Sequence, residues 1–160
     1  MVRRRRFLGA GAAGGLSLLA GCAIGRQEGG VSWVCAAGLS GGDAVFSLTP
    51  QVSTYGTTEP PVVELTIPVR RQVLSNREID RIEVRSGEET HHRIPVDPNN
   101  DESVGDVQRY EADDVIEYAQ SLGHAPQNGR IRIVALDGDG ESVDEVALDF
   151  RCYRDLDEGN

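Results

Sequence analysis

Apolar residues recur at every second position along much of this 160-residue chain, and no other sequence feature constrains its fold as strongly. In the clearest run, Val63–Val69, apolar odd-numbered residues alternate with Glu64, Thr66 and Pro68. Side chains of a strand point alternately to its two faces, so this run is typical of a strand with one buried face. Because Pro68 lacks a backbone N–H, we expect this strand to lie at a sheet edge or to end at a bulge.

The same alternation predicts further strands on both sides of this run. A hairpin is expected around Asp137-Gly138-Asp139-Gly140, because Asp-Gly is the strongest short signal for a hairpin turn. The stretch VDPNNDESVG, residues 96–105, is typical of a surface loop. The predicted strands, with their inward-facing residues, are 31–35 (Val31, Trp33, Cys35), 44–48 (Ala44, Phe46, Leu48), Asp80–Arg85 (Ile82, Val84), Thr90–Val96 (Ile94, Val96), Arg130–Leu136, and Val143–Tyr153 (Val146, Leu148, Phe150, Cys152).

One helix is predicted among the strands, over residues 111–122. Its apolar residues fall at i, i+3, i+4, i+7 and i+10, which forms a single stripe. Acidic residues stand in its first turn, and Gly123 and Pro126 follow its last turn, as is typical of helix ends. The stripe consists of Ala112, Val115, Ile116, Ala119 and Leu122, and the acids are Glu111, Asp113 and Asp114.

Seven or eight strands with one short α-helix predict a mainly β fold. The expected architecture is an antiparallel β-sandwich that resembles immunoglobulin-like domains. The immunoglobulin order of cysteine, tryptophan and cysteine is not present, because Trp33 precedes both Cys35 and Cys152. We expect a single domain over residues 31–154, which is long enough to bury its own core.

The first 22 residues have the layout of an export signal. Four arginines, Arg3–Arg6, precede the apolar run Phe7–Gly21, which ends in small residues before Cys22. As a helix, that run would extend about 22 Å, short of a hydrocarbon core of about 30 Å. Its five glycines also disfavour the alternative, a helix packed on the domain.

Two motifs within this segment resemble those of exported lipoproteins. Arg4, Arg5, Phe7 and Leu8 match the core of twin-arginine signals, which direct export of folded proteins. The sequence Leu19-Ala20-Gly21-Cys22 resembles a lipobox, in which the chain is cut before the cysteine.

This resemblance implies that residues 1–21 are a signal peptide and that Cys22 carries lipid on its sulfur. Residues 22–30 would then be a lipidated cysteine with a short tether, and 155–160 an acidic tail. The implied location is the cell surface, at the outer face of the cytoplasmic membrane.

With Cys22 assigned to lipid, Cys35 and Cys152 remain as an even pair. An even pair in an exported protein is typical of a disulfide. The alternation also directs both side chains inward, from strands near the two ends of the domain. Two separate buried thiols are the alternative.

The charge composition limits which classes of molecule this chain is expected to bind. All 16 basic residues are arginine, against 26 acids, and removing residues 1–21 leaves 12 arginines and a net charge of −14. A composition with this acidic excess resembles that of proteins from salt-loving archaea. The alternative is that the chain is an ordinary acidic protein. Because the arginines alternate with acids along the chain, as in Arg81-Ile82-Glu83, no nucleic-acid partner is expected.

Two stretches resemble metal sites at first sight. Asp137, Asp139 and Glu141, followed by Asp144 and Glu145, could offer oxygens to calcium, but they lack the EF-hand spacing and favour a turn. His91 and His92 point to opposite faces of a strand, so they cannot share an ion without a bulge. We therefore expect no metal and a half-buried, hydrogen-bonded His92.

No catalytic or cofactor motif stands out in the sequence. Blue-copper ligation is excluded because it usually needs a methionine, and Met1, the only one, belongs to the signal. No C-x-x-C, G-x-S-x-G or phosphate-binding glycine loop is present. We therefore expect no cofactor and a lipid-anchored binding or scaffolding module, with other envelope proteins as candidate partners. The alternatives are a small extracellular enzyme or ligand carrier, with a site assembled from distant residues, and a structural envelope component.

Overall fold

A computed structural model describes residues 32–97, 99 and 103–155. The predicted signal (Arg4, Arg5, Phe7 and Leu8), the lipobox Leu19–Cys22 and the tether lie outside the described residues. So does the acidic tail beyond Asp155. These expectations stay predictions.

The described residues form nine antiparallel strands and one short helix, and the prediction of a mainly β, antiparallel sandwich is confirmed. One sheet has the order β1-β9-β8-β4-β5 and the other β2-β3-β7-β6. The elements are β1 (Ser32–Gly41), β2 (Gln51–Tyr55), β3 (Val62–Arg70), α1 (Arg71–Asn76), β4 (Ile79–Ser86), β5 (Glu89–Pro95), β6 (Val107–Ala112), β7 (Val115–His124), β8 (Gln127–Asp137) and β9 (Ser142–Asp155).

The core lies between the two sheets and is formed by the inward side of each alternating run. Burial of this apolar surface is the main favourable contribution to folding. The buried residues of the sheets include Val63, Leu65, Ile67, Val69, Ile82, Val84, Ile94, Ile131, Ile133, Val146, Leu148 and Phe150. The predicted faces of β3, β4 and β9 are therefore confirmed, while Val96, which follows the last residue of β5, is only partly buried.

The predicted disulfide is present. Cys35 of β1 and Cys152 of β9 are cross-strand partners, and their sulfur atoms are bonded. Cys152 is buried, and Cys35 packs partly buried against the same core. The bond therefore ties the edge strand β1 to the strand beside it.

The helix predicted over 111–122 is wrong, because this segment forms the β6–β7 hairpin. Ala112 pairs with Val115 across a turn at Asp113 and Asp114, and Asp113 has a positive φ of 51°. The pattern also fits a period of two, with Ile116, Tyr118 and Gln120 all buried toward the core. Pairing of β7 with both β3 and β6 decides between the two periods.

The strand predicted over 44–48 is also wrong, since these residues form a loop between β1 and β2. The backbone N–H groups of Ala44, Val45 and Phe46 all donate to one oxygen of Asp144, at 3.1, 2.6 and 3.1 Å. Three successive amides that converge on one atom cannot alternate in direction, as they must in a ladder. Val45 and Phe46 are nevertheless buried in the core.

Pro68 lies at a local edge inside the sheet. Strand β3 is not an edge strand, because it pairs with both β2 and β7, and its bulge falls between Val63 and Glu64. Pairing with β2, however, ends at Thr66. Pro68 therefore lies where β3 has only β7 as a neighbour, so its missing N–H interrupts no second ladder.

The single described helix, α1, follows β3 directly and was not predicted. Its first N–H, from Arg71, donates to the carbonyl oxygen of Asp114 at 2.8 Å, and Leu74 is buried. The helix thus closes one end of the sandwich against the β6–β7 turn. Within the described ranges, no helix has the length and apolarity that crossing a membrane requires.

Candidate binding surface

Six arginines lie on the outer face of the five-stranded sheet, and we call this surface the arginine face. Each of these arginines is next in sequence to at least one buried core residue, so strand alternation directs the arginines outward. The six are contributed by four adjacent strands: Arg81 and Arg85 of β4, Arg93 of β5, Arg130 and Arg132 of β8, and Arg151 of β9.

This face is positive in a chain that is negative overall. Its strand positions hold four acids, Glu83, Glu145, Asp149 and Asp155, against the six arginines, whereas the whole chain has a net charge of −10. The outer face of the four-stranded sheet holds Glu64 and Glu117 against Arg70. The alternation of arginines with acids along the sequence therefore does not prevent a net positive charge on this face.

Glu83 lies at the centre of the arginine face and contacts three of its arginines. Its side chain is only 5% exposed. Oε1 accepts a hydrogen bond from Nε of Arg81 at 2.9 Å and lies 3.5 Å from Nε of Arg93. Oε2 accepts from Nε and Nη2 of Arg85 at 2.8 and 2.6 Å. One buried carboxylate therefore positions three guanidinium groups.

The environment of Glu83 keeps its carboxylate ionised. Burial by itself raises the pKa of Glu83, but hydrogen bonds and positive charge from Arg81 and Arg85 outweigh burial, so the pKa lies below its ordinary value of 4.5. The arginines also cover apolar surface, since Val134 and Leu136 point to this face yet are 1% and 3% exposed. Arginine stems can cover such residues while the guanidinium groups stay in water.

Arg130 and Arg151, the two arginines of this face that lie nearest the start of β1, have at most one distant ion-pair partner among the described residues. The side chain of Arg130 is 66% exposed, and its Nε lies 3.9 Å from Oδ1 of Asp149, the longest of the ion pairs formed by the described residues. Arg151 is exposed and forms no ion pair with a described residue. These two guanidinium groups are therefore available to an external anion.

A shallow groove runs beside Arg151 at this end of the sheet. It has a volume of about 620 Å³ and is lined by Pro126, Asn128, Arg151 and Tyr153, among others. A second hollow of about 430 Å³ adjoins it, where Ala36 contributes only a small side chain. Guanidinium groups at the edge of such a groove can form paired hydrogen bonds to carboxylate or phosphate oxygens.

The predicted turn at Asp137–Gly140 is confirmed. Gly140 N–H donates to the Asp137 carbonyl oxygen at 3.1 Å, and Oδ1 of Asp137 accepts from the N–H groups of Asp139 and Glu141 at 3.0 and 2.9 Å. Asp144 instead holds the 44–46 loop. In residues 32–97, 99 and 103–155, no group of three or more His, Cys, Asp or Glu side chains is arranged to hold a metal ion.

His92 is half-buried on the same face of β5 as Ile94, as predicted, but its hydrogen bonding is incomplete. Its Nδ1 is buried without a hydrogen-bond partner among the described residues. Burial, and then the nearby His91, lower the pKa of His92 despite a hydrogen bond to the Ser121 backbone. Gly105 lies against the ring, where a Cβ atom would overlap it. His92 is therefore a half-buried residue whose ring packs against Gly105.

Two buried polar side chains were not predicted. Tyr118 and Gln120 of β7 are 1% and 2% exposed, and the Tyr118 hydroxyl and both amide atoms of Gln120 have no partner among the described residues. Burial raises the pKa of the Tyr118 hydroxyl. A strand over residues 115–124 directs both Tyr118 and Gln120 inward, whereas neither belongs to the apolar stripe of the predicted helix.

The arginine face was also missed, although part of its signal is visible in the sequence. Arg81, Glu83 and Arg85 alternate with core residues, as Arg130 and Arg132 do. Only the strand order brings these two sets onto adjacent strands. In comparisons with known proteins, no family model, curated protein or solved structure matches this chain.

Proposed function

We propose that this chain is a lipid-anchored binding module at the outer face of the cytoplasmic membrane, and that the arginine face is its binding surface. The observation that carries the proposal is the concentration of six arginines on one sheet face of an acidic protein. A face of this kind attracts anionic groups, whereas the rest of the surface repels them.

Two further observations support export and binding. The Cys35–Cys152 disulfide fits an oxidising environment outside the cytoplasm. Apolar side chains form the core between the sheets, while the six arginines lie on an outer face. A filled sandwich with surface charge supports a binding module over an enzyme with an interior site.

Replacement of Cys22 tests the anchor. We expect Cys22→Ser to move the protein from the membrane to the medium, because serine cannot carry a thioether-linked lipid. Gln27→Ser, a serine substitution close by in the chain, is the control and should leave the protein in the membrane. Retention of Cys22→Ser in membranes washed with salt at about 1 M, or an unmodified residue 22 by mass spectrometry, would contradict the proposal.

Replacement of the arginine pair tests the export route separately. We expect Arg4→Lys with Arg5→Lys to block export, because the twin-arginine signal requires this pair. The neighbouring double variant Arg3→Lys with Arg6→Lys keeps the pair and should be exported normally. Normal export of both variants would overturn the route but not the anchor.

A further inference from the structure

We propose that the arginine face docks on anionic phospholipid headgroups of the membrane that holds Cys22, so that the five-stranded sheet lies against the lipid surface. This inference rests on the proposed lipid anchor. It names the ligand of the binding surface as the phosphate groups of the bilayer itself.

Charge complementarity favours this occupant. A negative membrane surface attracts nearby arginines and repels acids, and the effect falls off within about a Debye length. The outer face of the five-stranded sheet has six arginines and four acids, whereas that of the four-stranded sheet has more acids than arginines. An anionic bilayer would therefore select the arginine face over the opposite one.

The length of chain between Cys22 and the domain keeps this face near the lipid. Nine residues, 23–31, separate Cys22 from Ser32, so β1 begins at most about 35 Å from the lipidated sulfur. The chain enters the sheet at Ser32, four positions before Ala36, which is the cross-strand partner of Arg151. The anchor thus holds the exposed end of the arginine face within reach of the headgroups.

The side chains at this end suit a lipid interface. Arg130 and Arg151 are exposed and can form paired hydrogen bonds to phosphate oxygens. Tyr153, in the same groove as Arg151, is 42% exposed. Tyrosine is favoured at the headgroup level because its ring is apolar and its hydroxyl is polar. Arg81 and Arg85, bound to Glu83, would supply long-range attraction instead.

Cysteine accessibility on vesicles tests the docking. With Cys22 lipidated and the other two cysteines bonded, the thiol in Ser40→Cys would be the only reactive one. Ser40 lies on the arginine face, in the same cross-strand row as Arg132. Ser121→Cys, on the outer face of the four-stranded sheet, is the matched control. Both serines are exposed.

The lipidated full chain would be bound to vesicles of phosphatidylcholine, with or without phosphatidylglycerol, and treated with a water-soluble maleimide. We expect alkylation of Ser40→Cys to slow about fivefold on the anionic vesicles, and alkylation of Ser121→Cys to stay unchanged. Salt at about 1 M should relieve most of the protection, because it shortens the Debye length to about 3 Å.

Arginine variants test whether the face itself causes the protection. In the Ser40→Cys background, Arg130→Gln with Arg151→Gln should restore the alkylation rate seen on neutral vesicles. Arg77→Gln with Arg154→Gln removes the same charge from exposed positions off the face and should leave the protection intact. Equal loss in both pairs would show a nonspecific effect of net charge and overturn the docking.

The possible outcomes separate the docking from the anchor. If the chain floats with both vesicle types and Ser40→Cys is alkylated equally on both, the anchor stands and the docking is overturned. If protein isolated from its native membrane carries no lipid on residue 22 and floats with anionic vesicles alone, the docking stands and the anchor is overturned. Protection in native membranes but not on phosphatidylglycerol vesicles would indicate an acidic protein as occupant, and would also overturn the docking.

Discussion

Cys35 and Cys152 lie opposite each other in the β1–β9 ladder and form a disulfide that spans 117 positions of the sequence. The bond joins the edge strand β1 to β9, the strand beside it in the sheet and the last strand of the chain. Since β1 pairs with β9 alone in its sheet, the disulfide secures the strand that follows the proposed membrane anchor.

We expect loss of this disulfide to lower the free energy of unfolding by about 4 kcal/mol, because the bond closes a long loop in the unfolded chain. The measurement is urea unfolding of the Cys35→Ala, Cys152→Ala double variant, and dithiothreitol should reproduce the effect in the unaltered protein. Cys22→Ser is the control and should unfold as the parent does. Alkylation of both cysteines without reductant would contradict the bond.

Replacing Glu83 by glutamine should lower the free energy of unfolding by about 2 kcal/mol at pH 7, because Arg81, Arg85 and Arg93 lose their shared carboxylate. This is below the roughly 3–5 kcal/mol of a fully buried pair, since the arginines are partly solvated. Glu145→Gln, whose carboxylate is 41% exposed, is the matched control and should change stability by less than about 1 kcal/mol.

The stability difference between the parent protein and Glu83→Gln should also depend on pH. Because the pKa of Glu83 is lowered in the folded protein, its stabilising effect is complete above the ordinary value of 4.5 and is lost as pH falls through the folded-state pKa. The parent and Glu83→Gln should therefore differ most above pH 4.5 and converge in acid. Thermal unfolding measured as a function of pH would show this, and a difference that grows in acid would contradict it.

Truncation of Asp144 should destabilise the loop at residues 44–46. Its Oδ2 accepts three backbone hydrogen bonds, from Ala44, Val45 and Phe46, and its removal leaves these donors unpaired. We expect Asp144→Ala to lower the free energy of unfolding by about 3 kcal/mol. Asp139→Ala, in the exposed hairpin turn, is the control, and an equal effect of the two substitutions would contradict the assignment.

Two glutamines should respond to the same substitution with opposite signs. Gln120 is buried with no partner for its amide among the described residues, so Gln120→Leu should stabilise the protein by about 1 kcal/mol. Gln127 donates to the Leu122 carbonyl at 2.7 Å, so Gln127→Leu should destabilise it by about 1 kcal/mol. Chemical denaturation measures both, and destabilisation by Gln120→Leu would show that its amide has a partner in solution.

Local pattern was sufficient for the strands that bury one clean face. Strand β3 and the β8–β9 hairpin follow from alternation and from the Asp-Gly turn. The sandwich follows because several such strands must cover one another's apolar faces. The inward direction of Cys35 and Cys152 followed from the same alternation.

The local sequence pattern gave a wrong prediction where one sequence fits both the helical and the strand period. It also failed where a distant side chain accepts the backbone hydrogen bonds. The residues from Ala112 to Leu122 fit a helical stripe as well as a hairpin, and pairing with β3 favours the hairpin. Residues 44–46 look like a strand, but Asp144, about 100 positions away, takes their N–H groups. Neither competing interaction is visible within a short window of sequence.

By itself, the order of residues determined that this chain builds an antiparallel sandwich with two cysteines facing the core, because side chains alternate along any strand. Only the tertiary structure decided that six arginines from four strands share one face and that Glu83 lies among them. Surface charge in a sheet depends on which strands are neighbours, and that order is set by non-local pairing.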